Sequence, residues 1–420
     1  MEGKRQKDSA GKFTSLLTDP SSVKPRQCED WIFGFEKYIS ALASSDLYKR
    51  WAGISTLAAV LERRVWVRTN IGPLYPNLYV ILVGPAGIGK GIVLNEARNF
   101  MLEAPGIHLA PSSVSRASLA DALVEAERKI VVPQQMPSVI TYNSLTAVVN
   151  ELGTFLTEYD GEFVSALQDL WDCKHYQEKK RTNDVNINLK TVQLNLLAGD
   201  TVAHLLGILP DGAWDQGFLS RSILIYSGEM IIKSLFNSVE RDEELKKFLE
   251  QDIKSIAQLY GEIYISPQAV AAIDAWHQLQ GPPRPDHPKL QHYNSRRTSQ
   301  LLKLCMIVSV SRGSDYTITI DDYARALEYL LSAERFMMDI FKAYSIGGDG
   351  GTIKDIIYYV TQIYYRRNMK PLKEEEIIAF IQNKTPSHAV MRVYELLFRS
   401  GLLQKNVDGI RPTVREEDLT

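Results

Sequence analysis

Between Leu78 and Gly91 the sequence runs Leu-Tyr-Val-Ile-Leu-Val-Gly-Pro-Ala-Gly-Ile-Gly-Lys-Gly, and few folds accommodate such a run. The β-branched apolar half predicts a buried strand. It stops at glycines, and residues 92–102 can continue as a helix. Gly84, four residues, then Gly89-Lys90 is the Walker A spacing. Gly84, Gly87 and Gly89 let the backbone wrap with its N–H groups inward, and those donors, with the helix N-terminus, favour bound phosphate. Lys90 is then placed to reach the β- and γ-phosphates. The nucleotide-binding candidates are Gly84, Pro85, Ala86, Gly87, Ile88, Gly89, Lys90, Gly91 and Ile92. One position departs from the pattern: Gly91 stands where a Ser or Thr hydroxyl would ligate Mg²⁺, and Ile92 supplies none. The competing reading is a glycine-rich strand-to-helix turn without nucleotide. The expectation is a chain that binds a nucleoside triphosphate, ATP with Mg²⁺.

At 420 residues there is room for two or three domains. A hydrophobic fraction of 45% and a charged fraction of 23% suit an ordinary soluble globular protein. No apolar run approaches the roughly 20 residues of a membrane span. The polar N-terminus shows no secretory signal. Cys28, Cys173 and Cys305 are far apart and odd in number, which argues for a reducing cytoplasm and against a disulfide frame or zinc site. With a net charge of −2, any nucleic-acid contact must be a local patch.

Residues 1–29 form a polar tail expected to be disordered. From 30 to 72, Trp31, Phe35, Tyr38 and Ile39, then Trp51, Ile54, Leu57 and Leu61, recur at helical spacing, as two amphipathic helices would. They form a helical lead-in ahead of an α/β P-loop core at 73–232, expected to hold a central parallel sheet. Residues 115–128 predict a helix and 138–141 a strand. Leu145 to Glu151 is an apolar run ending where Walker B carries an acidic pair that holds Mg²⁺ and polarises water. The first acid is replaced by Asn150, so Glu151 alone remains as general base. The same run also fits a helix.

Residues 174–189 predict a β-hairpin with a basic arm, Lys174, Lys179, Lys180 and Arg181, for which a solvated surface hairpin is the bland alternative. Residues 191–198 predict a central strand ending in Gly199-Asp200-Thr201, where a γ-phosphate sensor would sit. A helix cap is the alternative there. Arg221, just ahead of the apolar strand 222–226, has the setting of an arginine finger or of a structural arginine. Helices over 240–260, 267–280, 294–311 and 321–344 make an α-helical lid at 233–346. In it Arg296 and Arg297 are either a second sensor or plain surface arginines. Gly347 to Gly351 is a linker. Three helices and a hairpin over 352–415, turning at Asp408-Gly409, predict a winged helix.

In this order, the Walker A stretch, the degenerate Walker B stretch, the basic hairpin, the sensor strand and Arg221 resemble the AAA+ ring ATPases. Gly217-Phe218-Leu219-Ser220-Arg221 is similar to the Leu-Leu-Ser-Arg-Phe-Asp stretch of minichromosome-maintenance helicases, and residues 293–331 to their lid helices. Tyr75-Pro76-Asn77-Leu78-Tyr79-Val80 and Glu151-Leu152-Gly153-Thr154-Phe155-Leu156 resemble a family of phage- and plasmid-borne helicase-like replication ATPases. The resemblance spans about 30–331. It implies Lys90 as phosphate clamp, Glu151 as base, Asp200 or Thr201 as first sensor and Arg221 as a finger acting on a neighbouring subunit. Arg296 or Arg297 becomes the second sensor, and Lys179, Lys180 and Arg181 the pore hairpin. The implied protein is a hexameric, ATP-dependent helicase or translocase on single-stranded or forked DNA. Its winged helix would be open to a replication-initiation partner. Gly91 and Asn150 depart from that pattern and favour a nucleotide-switched initiator or helicase loader. A nucleoside monophosphate kinase is a further alternative, since Gly-x-Gly-Lys-Gly also suits its loop.

Overall fold

The computed structural model describes residues 15–16, 25–111, 116–132, 138–156, 161–180, 185–208, 217–234, 241–347, 349–384, 390–406 and 408–413. The chain divides into two compact units, Met1–Met338 and Asp339–Thr420. The boundary falls inside the helix Ile320–Gly347. Of the expected glycine linker, Gly347 ends one helix and Asp349 begins the next, and Gly348 lies outside the described residues.

The first unit is built on a mixed sheet. Its main strands are β1 (Tyr79–Val83), β2 (Glu127–Val131), β3 (Val139–Val149), β4 (Val192–Asp200) and β5 (Ser222–Tyr226), in the spatial order β2-β3-β4-β1-β5. β3, β4, β1 and β5 run parallel, with Val83 level with both Asp200 and Tyr226. Every residue of β1 and β4 is buried, as in strands covered on both faces, and β4 buries Gln193, Asn195 and Asp200 among its apolar residues. β2 is antiparallel to β3, so the expected parallel sheet becomes mixed at this edge. The predicted helix over 115–128 ends early, at Glu125, and Glu127 starts β2. The predicted strand at 138–141 and the Walker B run are one continuous strand, β3, which settles the helix alternative there. Beyond β2, Ser15–Leu16 add a parallel edge, and Gln27 and Cys28 donate backbone N–H groups to Asp252 at 2.8 and 2.9 Å. These parts of the expected tail are therefore tied to the unit.

Two helices, α1 (Trp31–Tyr38) and α2 (Asp46–Leu61), precede the sheet. α2 is buried nearly all round and packs against β4 and against α3 (Lys90–Leu102), the helix that leaves the glycine loop. The lead-in is thus a wall of the core. The expected lid is not wholly helical, because Gly261–Glu262 pairs with Val65–Trp66 and Tyr264–Ile265 pairs with Thr317–Ile318. Its helix Arg297–Arg312 is buried along most of its length. Gln300 Nε2 donates to Arg221 O at 2.7 Å and Lys303 Nζ to Asn77 O at 2.8 Å. Both acceptors lie at the amino ends of strands, so this helix closes the sheet end opposite the glycine loop and does not cover that loop.

The second unit holds the helices Asp349–Arg366, Glu374–Lys384 and Val390–Arg399, then the antiparallel pair Leu403–Asn406 and Gly409–Pro412. Ile356, Val360, Ile377, Ile381, Val393 and Leu397 form its core with Leu403 and Ile410. Asn406 pairs with Gly409, so the turn lies one residue before the expected place. No helix among the described residues is long and apolar enough to cross a membrane.

Candidate phosphate-loop site

The loop between β1 and α3 is held from behind. Tyr48 of α2 donates its hydroxyl to Val83 O at 2.7 Å and accepts from Ser227 N at 3.1 Å, tying the carboxyl ends of β1 and β5 together. A Cβ at Gly84 would lie 2.2 Å from Ser227 O and 2.5 Å from the Tyr48 hydroxyl. A Cβ at Gly89 would lie 2.1 Å from Ala43 O, and φ there is +86°. Gly87 is also left-handed, at +81°. Both conformations favour glycine. Pro85, Ala86 and Gly87 are exposed, while Ile88 turns inward and is 2% exposed. Ile92 is 46% exposed on the first turn of α3. Lys90 folds back over the loop, donating to Gly84 O at 2.7 Å and Pro85 O at 2.6 Å. Burial lowers its pKa, while Asp200 and Glu151 act in the opposite direction. Two carboxylates therefore face one ammonium across this end of the sheet.

Gly91 and Asn150 face each other. A Cβ on Gly91 would sit 3.6 Å from Asn150 Oδ1, so the two departures from the motif pattern lie side by side. Asn150 follows β3 directly and is exposed. Glu151 is exposed and extended at φ −134°, ψ 122°, as the cap residue ahead of the short helix Leu152–Phe155. Asp200 ends β4 and is 2% exposed. Its Oδ1 accepts from Thr201 N at 2.7 Å and from His204 Nδ1 at 2.8 Å. Its Oδ2 is buried without a hydrogen-bond partner among the described residues. Burial raises the Asp200 pKa, the bonds from His204 and Thr201 lower it, and Glu151 adds to the rise. The Thr201 hydroxyl accepts from His204 N at 3.3 Å, which makes it a helix cap. Among the described residues no group of three or more His, Cys, Asp or Glu could hold a metal ion by itself.

The arginines lie elsewhere. Arg221 precedes β5, and Ser222 is level with Tyr79, so Arg221 sits a strand length from the loop of its own chain. It is 6% exposed. Its guanidinium bonds Asp172 Oδ2 at 2.7 Å and Gly217 O at 2.9 Å and lies over the Trp171 ring. Within its own chain Arg221 is a paired arginine. Its acid comes from 49 residues upstream, out of reach of any local reading. Arg297 is 1% exposed and wholly engaged, with Glu334 at 2.7 and 2.6 Å, with Pro283 O at 2.8 Å and with Gly281 O. Its guanidinium is thus committed to its own chain in this arrangement. Arg296 is half-buried, and its side chain has no hydrogen bond or ion pair among the described residues. It lies close enough to feel repulsion from Arg221 and attraction from Asp172. Lys303, fully buried beneath them, sits 3.7 Å from the Trp171 ring centroid and donates to Asn77 Oδ1 at 2.7 Å.

The basic hairpin forms, with Tyr176–Lys180 antiparallel to Val185–Leu189. Lys179 and Lys180 end its first strand opposite Asn186 and Val185, and Arg181 lies outside the described residues. Lys174 is exposed and paired with Asp169 at 3.1 Å and Asp172 at 3.3 Å.

Tyr48, His204 and Asp172 belong to these sites without having been singled out from sequence. Only His204 carried a local signal, four residues after Asp200 and so one helical turn on. No family model and no curated protein matches the chain, so its own residues carry the functional assignment.

Proposed function

We propose that the chain binds ATP with Mg²⁺ at the glycine loop and hydrolyses it, as a ring-forming AAA+ motor moving DNA in the replication of a phage or mobile element. The observation that carries this is convergence. The loop, Lys90, Glu151 and Asp200 meet at the carboxyl ends of β1, β3 and β4, the edge where open α/β sheets bind ligands. Gly84 and Gly89 let the loop pack against Ser227 O and Ala43 O behind it, where any Cβ would collide, and Pro85 to Gly87 stay exposed on its outer side, open to a triphosphate. Lys90 would exchange two carbonyls for phosphate oxygens. Glu151, exposed beside it, would accept the proton of the attacking water. Magnesium would supply charge neutralisation on the phosphates. At the two motif positions it would find only Asn150 Oδ1, since Gly91 has no side chain. The hairpin carrying Lys179 and Lys180, and the three-helix unit with its hairpin, support a DNA-directed role.

A nucleotide-switched initiator or loader is the second reading, favoured by the Arg221–Asp172 pair and by the Gly91–Asn150 juxtaposition. Turnover measured with and without single-stranded DNA separates the two. A motor accelerates on DNA; a switch binds ATP and releases little phosphate under either condition. Absence of ATP binding would remove both.

A further inference from the structure

At the phosphate-loop site one buried carboxylate oxygen has no hydrogen-bond partner among the described residues, and the two motif positions that usually serve a cation bring a single neutral oxygen. Asp200 Oδ2 is buried and has no donor among the described residues, while Oδ1 is held by Thr201 N–H and His204. A buried carboxylate oxygen without a partner is destabilising. Lys90 does not relieve it, because its ammonium bonds Gly84 O and Pro85 O and is required by the phosphates. Across the site, Gly91 and Asn150 bring one neutral oxygen where the motif brings a hydroxyl and a carboxylate. A hard divalent cation bound with phosphate is held by one or two carboxylates together with phosphate oxygens and waters.

Resting on the nucleotide reading above, we propose that Asp200 is the carboxylate that holds the divalent cation accompanying the triphosphate, with His204 as its positioning residue. His204 is built for this place. A Cβ at Gly153 would lie 2.1 Å from His204 Cε1, so the glycine two residues after Glu151 makes the room in which the ring stands. With Oδ1 held by the ring, the carboxylate cannot rotate freely, and Oδ2 is the oxygen left to be presented. This is how outer-shell histidines and carboxylates orient metal ligands.

The test uses the full chain, Mn²⁺ and a non-hydrolysable ATP analogue. Mn²⁺ affinity in the ternary complex is read by electron paramagnetic resonance. Affinity for the analogue alone is read in EDTA. Asp200→Asn should lower Mn²⁺ affinity by on the order of tenfold to a hundredfold, and His204→Ala by about tenfold. Metal-free binding of the analogue should persist in both. Mn²⁺ affinity that is unchanged in both variants overturns the proposal, and so does a loss seen only in Asn150→Ala or Glu151→Gln. If Asp200→Asn fails to fold, the exposed His204→Ala decides by the same measure. A wild-type chain that binds no analogue even in EDTA is a different failure: it removes the nucleotide reading, and this assignment with it.

Discussion

Gly91 and Asn150 are two small departures from the Walker pattern, and they lie side by side, a Cβ at Gly91 falling 3.6 Å from Asn150 Oδ1. The glycines and Lys90 were legible because the requirement on them is local: a backbone that must wrap, and a cation at fixed spacing. Tyr48, Asp172 and His204 act through contacts across 35, 49 and 4 residues of chain, and spacing reveals only the last of these. Lys303 shows the same limit. Nothing in its helical stretch distinguishes it from a surface lysine, yet it is buried against Trp171 and Asn77. Burial pushes its pKa from the ordinary lysine value of 10.5 down to about 7. Between those two values the unfolded chain holds a proton that the folded chain releases. The Lys303 contribution therefore makes stability rise with pH across that window and level off below it. One proton sets a slope of about 1.4 kcal/mol per pH unit. Urea unfolding of wild type and Lys303→Met between pH 6.5 and 10 should give a flatter profile for the variant; parallel profiles would mean that Lys303 keeps its charge when buried.

Among the elements, the strands with unbroken apolar runs were readable and the polar edge strand was not. Glu127-Arg128-Lys129-Ile130-Val131 looks like the end of the preceding helix. Its pairing with β3 becomes visible only when Arg128 is seen buried beside Glu62, at 3.3 Å. The packing of one helix of the expected lid was unreadable for a related reason. Periodicity finds the helix Arg297–Arg312 but does not say which sheet edge it closes. Its first arginine illustrates the consequence. Arg297→Ala would leave Glu334 buried without its ion-pair partner, at a cost of about 3–5 kcal/mol. The variant should unfold at lower urea while nucleotide affinity, measured below that transition, stays at the wild-type value. A variant of native stability with weakened nucleotide binding would instead give Arg297 the sensor role.

For the molecule as a whole, the ring reading needs a cation on one subunit that reaches the loop of the next. Arg221 is engaged in its own chain, so the duty falls to Arg296, which stands beside it unpaired among the described residues. Arg296→Ala and Lys90→Ala subunits, each inactive alone, should regain part of the ATPase rate when mixed, because some interfaces then keep an intact loop and an intact arginine. Arg221→Ala should give no such recovery and should lower stability by about 2 kcal/mol, the scale of a charged hydrogen bond. Recovery with Arg221→Ala and none with Arg296→Ala would reverse the assignment.

All of this depends on the loop from Gly84 to Gly91 being a triphosphate site whose chemistry runs through Glu151. A single titration with labelled ATP, followed by phosphate release from the same samples, addresses that in three proteins. Wild type should bind and release phosphate. Glu151→Gln should bind and release essentially none, because its amide accepts no proton from the attacking water. Lys90→Ala should lose binding by at least tenfold or lose turnover. Binding and release at wild-type levels in Lys90→Ala would contradict the account at its base.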